Sequence, residues 1–436
     1  MPNVSSRPRP NNEPQRPSIL KVIVLGAGVV GVASAWYLAR AGHEVSVVER
    51  QPGPGLETSF ANGGQISVSH AEPWANPEAP TKVLRWLFRE DAPLLFRFRL
   101  DPQQWLWGLS FLRECFPERA RYNTAQLVRL GIYSRARLDD LRQATGIVND
   151  HLERGILHFF TDRAAYDHAA QTAVLMQAHG CDLTMKTAAE AIAIEPALES
   201  IEHSLQGATY TPSDQSGDAH LFTQRLAALA AEYGVRFLYG TEVQGMTRRA
   251  DRIAAVRVAD ANGSRELQAD AYVVALGSYT PLLLRPLGLP VRIYPAKGYS
   301  ITVPIVDSSR APFVSLIDEE LKVVVSRLGD RLRVAGTAEF TGYDLSINQT
   351  RCEAILRRAQ TLFPGAFDPG EPNFWTGLRP ATPGNVPLIG RTAIANLYLN
   401  SGHGTLGWTL ACGSGRALAD IMSGRRPEVE FAFMGG

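Results

Sequence analysis

The apolar run Val22-Ile23-Val24-Leu25 leads into Gly26-Ala27-Gly28-Val29-Val30-Gly31, and Glu49 stands eighteen residues beyond the last glycine. This spacing is the fingerprint of a βαβ unit that holds the ADP half of a dinucleotide. Gly26 allows the tight turn, Gly28 lets the backbone approach a pyrophosphate, and Gly31 lets helix and strand pack closely. The pyrophosphate then sits at a helix N-terminus, where free N–H groups and the helix dipole favour an anion. Glu49 is placed to accept hydrogen bonds from ribose hydroxyls, and its charge argues against a 2′-phosphate and hence against NADP. Ala27, Val29, Val30 and Arg50 complete the candidate contacts at this end. The competing reading is a chance glycine turn in an ordinary α/β domain. A second glycine-rich block, Gly402, Gly404 and Gly407, opens the last helix. Glycines there let backbone approach a flat ligand, and Thr405 is placed to cap the helix.

These residues need elements to hold them. Residues 19–50 read as a first βαβ unit whose helix closes at Gly42. Residues 53–80, rich in Gly, Pro, Ser and Asn, read as a long loop, and loops of that length inside a domain usually carry function. Residues 82–142 read as helical, with Trp86, Trp105, Trp107, Phe111 and Leu112 on apolar faces. A strand is predicted at 155–163 and a helix at 164–180. Leu221, Phe222, Leu226, Leu229 and Tyr233 mark an amphipathic helix over 219–233. Strands follow at 235–239, 242–248, 252–259 and 264–269, with an Asn262-Gly263 hairpin turn. The wholly apolar run 271–276 reads as a central parallel strand that ends at Gly277. Segments 299–305, 313–317, 321–326 and 331–336 read as an antiparallel sheet, 350–362 as a helix, 397–400 as a strand and 407–422 as a final helix.

The chain is long enough for two or three cores, with 436 residues of which 45% are hydrophobic and 20% charged. A net charge of +1 argues against a nucleic-acid surface. Cys115, Cys181, Cys352 and Cys412 lie far apart with no Cys/His cluster, which argues against disulfides and zinc and fits a cytoplasmic protein. The best apolar stretch, 271–291, is broken by Gly277, Pro281, Arg285, Pro286, Gly288 and Pro290, so no membrane span is expected. Residues 1–18 read as a disordered tail.

Five further blocks carry a family resemblance. They are Ser59-Phe60-Ala61-Asn62-Gly63-Gly64-Gln65-Ile66-Ser67, Gly217-Asp218-Ala219-His220-Leu221-Phe222 and Pro295-Ala296-Lys297-Gly298-Tyr299-Ser300. The last two are Trp375-Thr376-Gly377-Leu378-Arg379-Pro380-Ala381-Thr382-Pro383 and Asn400-Ser401-Gly402-His403-Gly404-Thr405-Leu406-Gly407-Trp408-Thr409. In these blocks the chain resembles the FAD-dependent D-amino-acid oxidase and glycine/sarcosine oxidase superfamily, and within it the bacterial D-amino-acid dehydrogenase small-subunit branch. The resemblance implies an α/β plus α+β fold: a Rossmann-like FAD-binding domain with a parallel sheet, and a second domain on an antiparallel sheet. The expected division is 19–90, 200–290 and 376–436 for FAD, and 91–199 plus 291–375 for substrate.

The resemblance further implies oxidation of a D-amino acid at its α carbon, with a quinone or other carrier accepting the electrons and peripheral contact with the inner membrane. A D-proline or hydroxyproline dehydrogenase, a glycine/sarcosine-type oxidase and, more distantly, a non-catalytic dinucleotide-binding protein are the alternatives. Flavin is expected to be non-covalent, because Gly377 stands where sarcosine-oxidase relatives carry the linking Cys. Arg379 is the candidate carboxylate clamp over the flavin face, since a guanidinium fork binds a carboxylate bidentately; a structural ion pair is the plainer reading. Ser59, Asn62, Gly63, Gly64 and Gln65 are expected to wrap the flavin ring, with Asn62 and Gln65 as amide donors, and Val243 to contact adenine. The block at Gly402–Gly407 would aim a helix dipole at the flavin, favouring its reduced anion. Tyr299, His403 and His70 are candidate pocket groups; the alternatives are strand packing for Tyr299, holding the turn for His403 and a solvent-exposed loop for His70. Asp218 and His220 read as helix caps. The family pattern Pro-Gly-Tyr is replaced by Val68-Ser69-His70, and the usual acid after Thr382-Pro383 by Gly384, which leaves the substrate open. The mixture of aromatic residues with Arg85, Arg89, Arg97 and Arg99 over 84–112 suits either a bilayer-facing surface or a domain core with solvated arginines.

Overall fold

The computed structural model describes residues 19–86 and 93–435. The expected tail at 1–18 lies outside the described residues, as do Arg89 and the side chains of Arg85 and Trp86. In chain order the elements begin with β1 (Lys21–Leu25), α1 (Val29–Arg40), β2 (Glu44–Val48), β3 (Leu94–Phe96), α2 (Pro102–Glu114), α3 (Pro117–Thr145) and β4 (Ile156–Phe160). Next come α4 (Arg163–Ala178), β5 (Thr184–Lys186), β6 (Gly207–Thr211), α5 (Ala219–Glu232), β7 (Arg236–Leu238), β8 (Glu242–Arg249), β9 (Arg252–Asp260), β10 (Gly263–Leu267) and β11 (Ala271–Val274). The chain continues through β12 (Tyr294–Pro304), β13 (Ser315–Asp318), β14 (Val323–Leu328), β15 (Arg331–Phe340), α6 (Gln349–Leu362), β16 (Asn373–Ala381), β17 (Leu388–Arg391), β18 (Leu397–Ser401) and α7 (Gly407–Met422). Short helices and bridges fill the intervals.

Two sheets carry the molecule. The first runs β17-β18-β11-β1-β2-β7, parallel except at β17. Its middle strand β11 is buried throughout and sits between β1 and β18, as its apolar run predicts. Helices α1, α5 and α7 cover one face, with Val32, Leu38, Phe222, Leu226 and Leu410 in a common core. The meander β8-β9-β10 packs Ile253, Val256 and Val258 against the other face. The second sheet runs β16-β12-β15-β14-β13-β4-β6-β5, with β3 added beside β15. It is mostly antiparallel; β13–β4 and β15–β3 are parallel pairs. Its outer face is buried under α6 by Ile301, Val325, Val334, Ile355 and Leu362.

One predicted element needs correction. The helical reading of 82–142 is interrupted by β3 and divided between α2 and α3. Pro102 and Pro117 each occupy a first-turn position of a new helix, where a missing N–H costs nothing. Proline therefore starts a helix here rather than tolerating a continuous one. The caps follow the sequence more closely: Gly42 has φ +94° just past α1, and Asp218 accepts the N–H groups of His220 and Leu221 to open α5.

Candidate active site

A cavity of about 1560 Å³ runs between the two sheets, and most of the residues singled out by sequence line it. At its nucleotide end, Gly26 adopts φ +102°, and a Cβ there would lie 2.7 Å from the Ala275 carbonyl oxygen. A Cβ on Gly31 would fall 2.0 Å from the Gly26 oxygen, so this glycine seats α1 on the turn. Gly28 is open: a Cβ would meet nothing closer than Ser59 Oγ at 3.5 Å. The Ser59 hydroxyl accepts the Val29 N–H at 3.0 Å, and Val30 lines the cavity beside it. Glu49 lines the same end, held by the N–H groups of Ala27 (2.7 Å) and Gln51 (2.8 Å). Burial raises its pKa against the pull of those two bonds. Ala27 and Gly31 are thus structural here and do not reach the cavity wall. Arg50 pairs with Glu57 and lies over the Tyr279 ring at 4.1 Å; Val243 and Gly277 border the same space.

In the middle of the cavity the segment 61–65 crosses the second sheet. Ser300 Oγ donates to the Ala61 carbonyl, a Cβ on Gly63 would press on Val324, and Gly64 adopts φ +72°. Asn62 Oδ1 accepts the Gly64 N–H, and the Gln65 amide donates to Ser315 Oγ and the Leu316 carbonyl. The expected donor role of Gln65 toward a ligand is therefore corrected: its NH₂ anchors the loop to β13. From the opposite side, Gly404, Thr405, Leu406 and Gly407 line the cavity at the start of α7. Thr405 does not cap the helix; Leu406 takes the cap position and no side chain caps it, so the first-turn N–H groups keep their donor capacity. Gly402 also departs from expectation. It is absent from the cavity wall and turns the chain at φ +82°, where a Cβ would strike Thr382.

Arg379 lies on β16 with Trp375 and Gly377 on the same face, by strand alternation. Gly377 pairs with Gly298 on β12, and this glycine pair makes a trough. A Cβ on Gly377 would sit 2.1 Å from the Trp375 ring, and one on Gly298 would sit 2.2 Å from Arg379 Nη1. The guanidinium therefore lies flat over Gly298. Its Nη1 donates to the Thr337 carbonyl at 2.9 Å, at a register shift between β12 and β15 where Thr337 adopts φ +55°. A left-handed β-branched residue is strained, and here it aims a carbonyl at the arginine. Among the described residues no carboxylate pairs with Arg379. Burial, with help from Arg351, lowers its pKa to about 10, so it stays charged at neutral pH. A half-buried cation on a cavity wall, with no carboxylate partner among the described residues, is a site for an anion.

Two other candidates, Tyr299 and His403, border the cavity with polar atoms bonded within the protein. Tyr299 is buried and its hydroxyl is bonded to Glu339; burial and that carboxylate push its pKa up, so it stays protonated. His403 Nε2 is 3.2 Å from Ser414 Oγ inside α7, and burial lowers its pKa to about 3. Both read as packing groups at the edge of the site. Sequence reasoning missed His158, Glu319 and Lys322, which line the cavity beside His70. They come from β4 and the β13–β14 hairpin, and no local pattern joins them.

Comparison with known proteins decides what this architecture belongs to. A family model described as FAD dependent oxidoreductase matches residues 21–421. This chain belongs to that family. Among curated relatives, D-amino acid dehydrogenase of Dechloromonas aromatica is 58% identical, covering 95% of this chain and 100% of the relative. D-amino acid dehydrogenase of Paramagnetospirillum magneticum is 55% identical over 95% and 98% respectively. Of solved structures, L-proline dehydrogenase from P. horikoshii aligns with TM-score 0.73 at 18% identity, covering 95% of this chain and 96% of that one. Glycine oxidase from Bacillus cereus gives 0.69 at 24%, covering 93% and 95%. These two likenesses establish the fold.

The residues present fit the cofactor of an FAD-dependent oxidoreductase. The open backbone at Gly28 leaves room for a pyrophosphate, Glu49 offers a ribose acceptor, and the uncapped start of α7 faces the cavity. Asn400 Oδ1 and Trp408 Nε1 are buried without partners among the described residues, and both side chains border this space.

Proposed function

We propose that the protein is a flavin-dependent D-amino-acid dehydrogenase whose α-carboxylate clamp is Arg379. The observation that carries this reading is the unpaired guanidinium, fixed at one nitrogen by Thr337 and laid over Gly298 with its remaining N–H groups available. When bound, FAD supplies a two-electron acceptor for the hydrogen on the substrate α carbon. Arg379 binds the carboxylate in a fork, and that orientation is the main contribution of the protein to the rate. The glycine trough beneath it admits the α carbon without a side chain in the way. The substrate amine must be neutral for the α hydrogen to leave as hydride, so its ammonium proton is shed on binding. Tyr299 and His403 are committed elsewhere, and water carries that proton. The imino acid then hydrolyses to a 2-oxo acid and ammonia.

Electrons pass on to a carrier other than oxygen, and we place that exchange at a membrane surface. Among the described residues no helix is long and apolar enough to cross a membrane. Helix α2, however, borders the cavity and turns Trp105, Leu106, Leu109 and Leu112 outward, 42% to 66% exposed. Phe98 and Phe116 extend this apolar face, and Arg113 and Arg119 lie beside it, a composition that suits an anionic bilayer. Purified holo-protein given D-alanine and an artificial electron acceptor is expected to form pyruvate and ammonia in equal amounts. Turnover of L-alanine alone would refute the assignment.

A further inference from the structure

Three alternate residues of β12 share the inner face of the second sheet. Ser300 holds the Ala61 carbonyl beneath the segment 61–65, Gly298 lies under the Arg379 guanidinium, and Ala296 sits in a cluster of aromatic rings. Alternation along the strand spaces them by about 7 Å. Ala296 is also the register partner of Arg379 across β12 and β16, so the rings begin next to the foot of the clamp. The segment 61–65 closes the Ser300 side. The side chain of an acid whose carboxylate is held over Gly298 therefore extends toward Ala296.

Rings wall that end. Phe340, on the neighbouring strand β15, lies 4.9 Å from Trp107, 5.7 Å from Phe96 and 6.4 Å from Trp74 between ring centres. Trp107 stacks on Phe111 at 5.3 Å, and all of these rings line the cavity. Two polar atoms among them are already bonded: Trp107 Nε1 donates to the Ala381 carbonyl at 2.8 Å, and the Tyr294 hydroxyl donates to Asp101 at 3.0 Å. Neither offers a bond to a ligand, so a charged side chain gains nothing from them. A further ring, by contrast, finds faces and edges for stacked or edge-on contact.

Helix α2 supplies the room. Gly108 stands in the middle of this helix, where glycine costs stability relative to alanine. Helical spacing puts it on one face with Gln104 and Phe111, and all three line the cavity. A Cβ on Gly108 would meet nothing within 4 Å. Close packing against protein does not account for this glycine; space for a ligand does.

We propose that the substrate side chain is an aryl group, seated against Phe340 and Trp74 in the space that Gly108 leaves open. The inference rests on the dehydrogenase reading and names the D-amino acids it serves: those with aromatic side chains, ahead of small or charged ones.

Two measurements on holo-protein test it. The first titrates 3-phenylpropanoate and propanoate into the oxidised protein by calorimetry; both carry the carboxylate and neither has an amine to oxidise. The aryl acid is expected to bind at least tenfold more tightly. Gly108→Leu should remove that difference while the melting temperature stays at or above wild type. The second measures kcat/KM with an artificial electron acceptor. The value for D-phenylalanine is expected to exceed those for D-alanine and D-lysine at least tenfold and that for D-leucine at least threefold. Gly108→Leu should lower it at least tenfold for D-phenylalanine and less than threefold for D-alanine. Equal binding of the two acids, a D-phenylalanine value no higher than that of D-alanine or D-leucine, or equal effects of Gly108→Leu on both substrates would each overturn the proposal. D-Alanine turnover beside such a failure leaves the dehydrogenase reading standing, whereas no turnover of any D-amino acid overturns both.

Discussion

Replacing Gly298 with alanine puts one methyl group beneath the guanidinium that is to hold the substrate. The new carbon would lie 2.2 Å from Arg379 Nη1, 2.4 Å from Cζ and 2.6 Å from Nη2. Ordinary contact needs about 3.5 Å, so the planar group must lift by roughly 1 Å. The bond from Nη1 to the Thr337 carbonyl, 2.9 Å long, has to stretch or swing to allow it. Gly298 does not use a left-handed backbone, so alanine is tolerated by the strand itself. A displacement of about 1 Å in a positioning group costs on the order of 100-fold in rate, or about 2.7 kcal/mol. We therefore expect Gly298→Ala to lower kcat/KM for D-alanine about 100-fold. Flavin content and melting temperature should stay near wild type, because the atoms nearest the added methyl all belong to Arg379. Steady-state kinetics with the flavin quantified by absorbance measure this. A loss below threefold with flavin fully bound would mean that the guanidinium over Gly298 is not where the carboxylate binds.

Three further outcomes are expected. Gly28→Val fills the open space at the pyrophosphate end and should give colourless protein; yellow protein of normal flavin content would contradict the assigned turn. Glu49→Gln removes a charged acceptor from the ribose position and should weaken FAD binding about tenfold or more, read by titrating apoprotein with FAD. His403 titrates near pH 6.5 when unfolded and at about 3 when folded, so the unfolded chain binds the extra proton between those values and stability falls as pH falls through that window. At pH 5 this amounts to about 2 kcal/mol, and His403→Gln should lose correspondingly less stability between pH 7 and pH 5 in denaturant titrations. Equal losses in both proteins would show that the imidazole is not held neutral.

The parts of the fold written in local rules are the parts that could be read in advance. The Gly26–Gly31 turn, the Asp218 cap and the apolar strand β11 each follow from a few adjacent residues. Helix α2 and strand β3 do not, since β3 exists by pairing with β15, some 240 residues away in sequence. The site divides in the same way. Arg379 and the glycines around it stand in short blocks with a chemical purpose visible in their spacing. Tyr299 and His403 stand in the same blocks, yet tertiary packing assigns their polar atoms to Glu339 and Ser414. The His158–Glu319 pair joins residues 161 apart, and it is brought together by the parallel pairing of β4 with β13. No periodicity within either segment announces that contact.

The most direct test is a single turnover without any electron acceptor. Holo-protein is mixed anaerobically with D-alanine or L-alanine and its yellow absorbance followed. The structure predicts that D-alanine bleaches the flavin in one step and that Arg379→Met slows this by at least two orders of magnitude at low substrate. Flavin that keeps its colour with every D-amino acid supplied, or that Arg379→Met reduces at the wild-type rate, would contradict the account.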